Sequence, residues 1–95
     1  MVFDVPKIIG TRIYDTKSEK NRDLYLKDGR TFLVMHRNTM EVRCDRKLSK
    51  VLTEKYESVM ESRYFGQGGI EIVLAGQLSQ QELEDLIRLS YLLTQ

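Results

Sequence analysis

Apolar residues fall at helical spacing in the last third of the chain. Leu83, Leu86, Ile87, Tyr91 and Leu93 give one apolar face. The stretch before them carries the signals that start a helix. Ser79 stands where its side chain can cap the first turn, Glu82 where it can reach back in a capping box, and Leu78 and Leu83 where they can staple the entry. Immediately upstream, Ile70-Glu71-Ile72-Val73-Leu74 is a β-branched run that predicts a buried strand, joined to the helix by the turn Ala75-Gly76-Gln77.

The middle of the chain reads in strand periods. Leu24-Tyr25-Leu26 and Thr31-Phe32-Leu33-Val34-Met35 flank Lys27-Asp28-Gly29-Arg30, and Asp-Gly between apolar runs signals a hairpin because both residues tolerate positive φ. A second turn is expected around Arg37-Asn38-Thr39. Met40 to Asp45 then alternates, with Met40, Val42 and Cys44 inward and Glu41, Arg43 and Asp45 outward, the pattern of a half-buried strand with one face in water. Residues 24–44 therefore predict a three-stranded antiparallel meander. Asp45 can cap a second helix whose buried stripe is Leu48, Val51, Leu52 and Tyr56, with Arg46 and Lys50 opposite and fraying expected near Glu57.

Other stretches are less patterned. Residues 8–14 read as a strand with Gly10 as a bulge or bend, and the wholly polar stretch 16–23 as an exposed loop. Ser58 to Arg63 either extends the second helix or links it irregularly, and Gly66-Gln67-Gly68-Gly69 reads as a flexible turn. The fold class that follows is α+β: an antiparallel meander with two helices packed on one face, in a single domain over residues 1–95.

Composition narrows the function classes. With 95 residues there is room for one core. No run is long enough to span a membrane, Met1 to Gly10 lacks the pattern of a signal peptide, and a single cysteine favours a reducing compartment. A soluble cytoplasmic protein with no membrane partner is expected. The net charge of +1 conceals an asymmetry. Residues 1–50 carry twelve Lys/Arg against seven Asp/Glu, and residues 51–95 carry three against seven. The first half is thus +5 and the second −4, which yields a basic face and an acidic face only if the halves do not interleave.

Candidate chemistry is sparse. His36 is the only histidine and no metal-ligand spacing surrounds it, so a surface position near a turn is expected. Cys44 reads as a small buried hydrophobe, and Asp45 opposes any activation of its thiol. Glu82, Glu84 and Asp85 complement the dipole at a helix start. Gly66 to Gly69 lacks the Lys-Ser/Thr of a phosphate loop. No catalytic residue, metal site or cofactor is expected. What remains is positive charge: Lys27 and Arg30 at the first turn, Arg37 at the second, and Arg43, Arg46, Lys47 and Lys50 around the strand–helix junction. These seven can contact phosphates from hairpin tips and sheet face, or serve as edge-strand charge that prevents aggregation.

Val42-Arg43-Cys44-Asp45, Leu48, Leu52, Lys55-Tyr56, Ile72-Val73-Leu74, Gly76, Leu78, Glu82-Leu83, Leu86-Ile87 and Ser90-Tyr91 resemble, in order and spacing, the MmcQ/YjbR family. The resemblance covers roughly residues 31–94 and includes the family's Ser-Tyr-x-Leu ending, here Ser90-Tyr91-Leu92-Leu93. The His-Trp pair that often leads into the family's penultimate strand is replaced by Gly68-Gly69-Ile70, and residues 1–23 do not read as the extra helix with which members commonly begin. The resemblance implies a frataxin-like (CyaY-like), double-wing fold and a DNA-binding role. DNA bound mainly through electrostatics is accordingly the expected partner. The alternative is a protein-interaction module or homodimer that uses the open sheet face.

Overall fold

A computed structural model describes residues 3–95; the expectations that touch Met1 and Val2 lie outside the described residues. Six antiparallel strands form one sheet in the spatial order β1-β2-β3-β4-β6-β5. The strands are β1 (Asp15–Glu19), β2 (Arg22–Lys27), β3 (Arg30–His36), β4 (Thr39–Arg43), β5 (Val59–Ser62) and β6 (Gly66–Val73). Three helices accompany them: α1 (Val5–Ile9), α2 (Arg46–Lys55) and α3 (Gln80–Leu93). α3 packs on β3 and β4, α2 on β5 and β6, and α1 on α3, so the two longer helices lie against the sheet as expected.

The hairpin chemistry acts where the sequence places it. Asp28 and Gly29 both take positive φ (51° and 80°), and Lys27 pairs directly with Arg30 across a two-residue turn. Asp45 caps α2 by accepting from the Leu48 N–H at 3.0 Å. Ser79 and Glu82 close the capping box at the start of α3, and Leu78 and Leu83 are both buried.

Expectations for four segments are corrected. Residues 8–14 are not a strand: Asp4 accepts from the Lys7 N–H, Pro6 supplies a helical φ in the first turn, and Gly10 at φ +78° closes a short helix over Val5–Ile9. The polar stretch 16–23 is not a loop but the β1–β2 hairpin, turned at Lys20-Asn21 with Asn21 at φ 74°. Backbone pairing and the Glu19–Arg22 ion pair at 2.7 Å hold β1, whose side chains are nearly all exposed, so hydrophobic alternation carries no trace of it. The link at 58–63 holds a strand, β5. Gly66 to Gly69 is not a flexible turn but the start of β6, which pairs with Arg43 through Gly69.

The core lies between sheet and helices. Leu33, Met40, Val42, Ile70, Ile72, Leu83 and Ile87 are fully buried there. The β2–β3 register shifts between Tyr25 and Leu26, and Phe32 is left without a partner in that pairing. This irregularity sends two successive residues, Phe32 and Leu33, into one core. The helix stripes are narrower than expected. Val51 is 56% exposed, because α2 rests on β5 and β6 along the line Leu48–Leu52–Tyr56. Leu93 is also largely exposed; the helical period carries α3's buried line from Leu83 and Ile87 through Ser90 to Thr94 instead.

Candidate functional site

The face of the sheet away from the helices is not a plain solvated surface. Glu41 on β4 and Glu71 on β6 stand directly opposite each other in register, and both are at least 97% buried. The sequence places Glu41 in water; the structure corrects this. Like charges paired across strands are unfavourable unless each is neutralised or hydrogen-bonded, and both carboxylates here are fully engaged. His36 Nε2 lies 2.6 Å from Glu41 Oε2. Ser62 Oγ and the Tyr64 N–H donate to Glu41 Oε1 at 2.7 and 2.8 Å. Arg63 grips Glu71 with two nitrogens at 2.9 and 2.7 Å, and Thr39 Oγ1 donates to the same carboxylate at 2.8 Å.

These contacts set the charge state. Burial pushes the Glu41 carboxyl up, but the His36, Tyr64 and Ser62 hydrogen bonds together outweigh it and hold the group below the usual carboxylate range. The Arg63 bond does the same for Glu71 against its burial and the neighbouring Glu41. His36 is therefore a half-buried partner of Glu41, not the surface residue expected. The ligand atoms of His36, Glu41 and Glu71 lie within 4.8 Å of one another, but a cation entering there would have to displace His36 or Arg63. Their arrangement fastens the segment that follows β5 onto the sheet.

That segment, Ser62 to Phe65, carries two aromatic rings onto this face. Tyr64 and Phe65 meet edge to face at a centroid separation of 4.9 Å. The Arg22 guanidinium lies 5.3 Å from the centre of the Tyr64 ring, and Arg43 lies 4.9 Å from that of Phe65. The Tyr64 hydroxyl bonds Thr31 Oγ1 at 2.9 Å, and Arg43 Nε donates to the Thr31 carbonyl at 2.8 Å. Arg22, Tyr64, Phe65 and Arg43 thus form a continuous row of planar groups, with Arg63 beside it.

The seven basic residues singled out by sequence separate into groups. By strand register, Arg30 at the start of β3 and Arg43 at the end of β4 fall at the end of the sheet where α2 begins with Arg46 and Lys47. Arg43 is held by the Thr31 carbonyl and the Phe65 ring, and Lys50 follows one helical turn after Arg46 and Lys47. The Cys44 N–H donates to the Gly68 carbonyl at 3.0 Å, which ties the start of α2 to the β5–β6 hairpin. Arg46, Ser49, Lys50 and Thr53 line a shallow cleft against Glu61 and Gln67. Lys27 shares this end but is occupied: its Nζ donates to the Tyr91 carbonyl at 3.0 Å and sits over that ring. Arg37 lies beyond the opposite end of β3, about 23 Å away at the rise of an extended strand. Asp45 and Asp28 fall among the cations, whereas Glu41 is buried and does not offset them.

The sequence singles out none of Arg63, Tyr64 and Phe65, and it places Arg22 in the polar stretch expected to be an exposed loop. The adjacent Arg63-Tyr64-Phe65 is a basic–aromatic run and could have flagged the hairpin. Arg22 reaches it only through the pairing of β2 and β3. Glu41 and Glu71 carry a subtler mark, since each is a lone acid between apolar neighbours, Met40-Glu41-Val42 and Ile70-Glu71-Ile72. Cys44 is buried as expected, and burial followed by Asp45 pushes its thiol up to about 11.

Comparison with known proteins found no matching family model, no similar curated protein and no similar solved structure.

Proposed function

We propose that this chain is a non-catalytic DNA-binding protein that holds phosphates at the end of the sheet where β4 passes into α2. One observation carries the reading. The first turn of α2 contains Arg46 and Lys47, and the Asp45 cap is the one acid set against them, although a helix start disfavours cations. A local rule broken at exposed positions is a mark of function. Anions supplied by a bound partner would add to what Asp45 neutralises and would find Arg30, at the start of β3, at the same end of the sheet. The resemblance of residues 31–94 to a family labelled DNA-binding agrees with this.

Contacts of this kind are electrostatic and sensitive to salt. For about three to five phosphates neutralised on a duplex, log affinity should fall with log salt at a slope of about −3 to −4.5. Fluorescence anisotropy with labelled DNA across a salt series measures it. The variant Arg46→Glu/Lys47→Glu/Lys50→Glu should bind at least tenfold more weakly at low salt while keeping its thermal transition, because all three side chains are exposed. Reversal of Arg43 is a poorer test, since that side chain also holds the Thr31 carbonyl and Phe65. Unchanged affinity in the triple variant would remove this surface from consideration. No binding by the wild type at low salt would turn the search to a protein partner.

A further inference from the structure

We infer that the row Arg22–Tyr64–Phe65–Arg43 is a stacking platform for unpaired bases, so that the partner is single-stranded DNA; this rests on the DNA-binding reading above. Tyr64 is 38% exposed and Phe65 is partly exposed, and neither belongs to the hydrophobic core or packs against it. They lie on the open face, where Leu24 and Val34 are also buried in register with Glu41 and outside that cluster, yet the rings themselves stay partly uncovered. The surrounding chemistry builds a rigid support. Glu41 holds the backbone of Tyr64, Thr31 holds its hydroxyl, and Ser62 Oγ accepts from the Phe65 N–H at 2.8 Å. Gly69 keeps the space beneath Phe65 clear, since a Cβ there would stand 2.7 Å from the Phe65 Cβ.

A platform held this way loses little freedom when a base stacks on it. The flanking charges suit the rest of a nucleotide. Arg63 has a side chain 72% exposed beyond its bond to Glu71, and Arg22 and Arg43 present planar cations at the two ends of the row. Bases inside a duplex are stacked on one another and cannot reach such a row. A single strand offers both its base faces and its phosphates, the combination that sheet-borne aromatics with adjacent arginines bind. The phosphate-holding end at α2 continues directly from Arg43, so one strand can run from the platform onto it.

The test uses the intact chain and labelled oligonucleotides of one length: single-stranded DNA, duplex DNA and single-stranded RNA. Tyr64→Leu should weaken single-stranded DNA binding at least about fivefold at every salt concentration, with the salt slope unchanged, because stacking releases no counterions. Duplex affinity should not change. Arg46→Glu/Lys47→Glu/Lys50→Glu should instead flatten the slope. Tyr64→Phe keeps the ring and should bind like the wild type, while losing part of the tyrosine fluorescence quenching that the wild type shows with unlabelled oligothymidylate. Tyr64→Phe also keeps the proposal testable if Tyr64→Leu fails to fold: a quenching change identical to that of the wild type would overturn it. Equal affinity for duplex and single strand, or Tyr64→Leu binding unchanged, would overturn the platform and leave the phosphate surface standing. Tighter binding of RNA would overturn the assignment to DNA. No binding of any oligonucleotide would overturn the DNA-binding reading itself.

Discussion

Ser90 shows how much one side chain can hold. The β3–β4 ladder ends at Leu33 and Val42, which leaves the next backbone groups without each other. The Ser90 hydroxyl takes their place: it accepts from the Arg43 N–H at 2.7 Å and donates to the Phe32 carbonyl at 2.6 Å. Removing it strands two backbone groups in the core, at about 1–3 kcal/mol for each unsatisfied group. Ser90→Ala should therefore lower the unfolding free energy by about 2–4 kcal/mol in urea titration, well above the effect of a surface serine. Glu41 is the counterpart on the open face. Glu41→Leu leaves Ser62 and the Tyr64 N–H without their acceptor, and the loss expected for one partner removed from a buried charged network is about 3–5 kcal/mol. Glu41→Gln retains an acceptor oxygen and should cost less; equal losses would mean that the hydrogen bonds are not what Glu41 supplies.

Among the elements, the β5–β6 hairpin is the one most dependent on its glycines. A Cβ at Gly69 would lie 2.5 Å from the Val42 carbonyl oxygen, closer than packing allows. β4 and β6 approach each other there only because the side chain is missing. Gly69→Ala should destabilise the fold by about 1–3 kcal/mol and weaken any binding that needs Phe65 in place. Thermal melting followed by circular dichroism checks the first effect and anisotropy the second. The helices depend less on single positions. α2 buries none of its residues fully, so it is held by a half-buried line and its cap.

At the scale of the molecule, little of the charge asymmetry survives in the sheet, because most of the first half's excess of cations lies outside its strands. Strand order keeps β1 to β4, from the basic half, together and puts β6 and β5 beyond them, but α3 crosses back onto β3 and β4. The acid response follows from the open face. Glu41 and Glu71 both have carboxyls held below the usual range. The stability they contribute is fully present above the unfolded value near 4.5 and is lost as pH falls through their lower folded values. Unfolding free energy should thus hold steady with respect to these groups from neutral pH to about 5 and decline below about 4.5. In Glu71→Gln the decline should be shallower; an identical slope would show that Glu71 does not carry it.

Local chemistry was enough to determine the caps of α2 and α3, the Asp28-Gly29 hairpin, the inward side of β4 at Met40 and Val42 and the α+β class, because each depends on residues within a few positions of one another. The β1–β2 hairpin was not legible, although Leu24 to Leu26 of β2 was, since an exposed polar strand such as β1 leaves no hydrophobic period. The basic residues were all visible, yet only tertiary structure decided that Arg30, Arg43, Arg46 and Lys47 share an end and that Arg37 lies far from them. Cross-strand register, a long-range property, brought Glu41 against Glu71. The same register set the Ser62–Phe65 segment over them and placed Arg22 and Arg43 at the two ends of its aromatic pair.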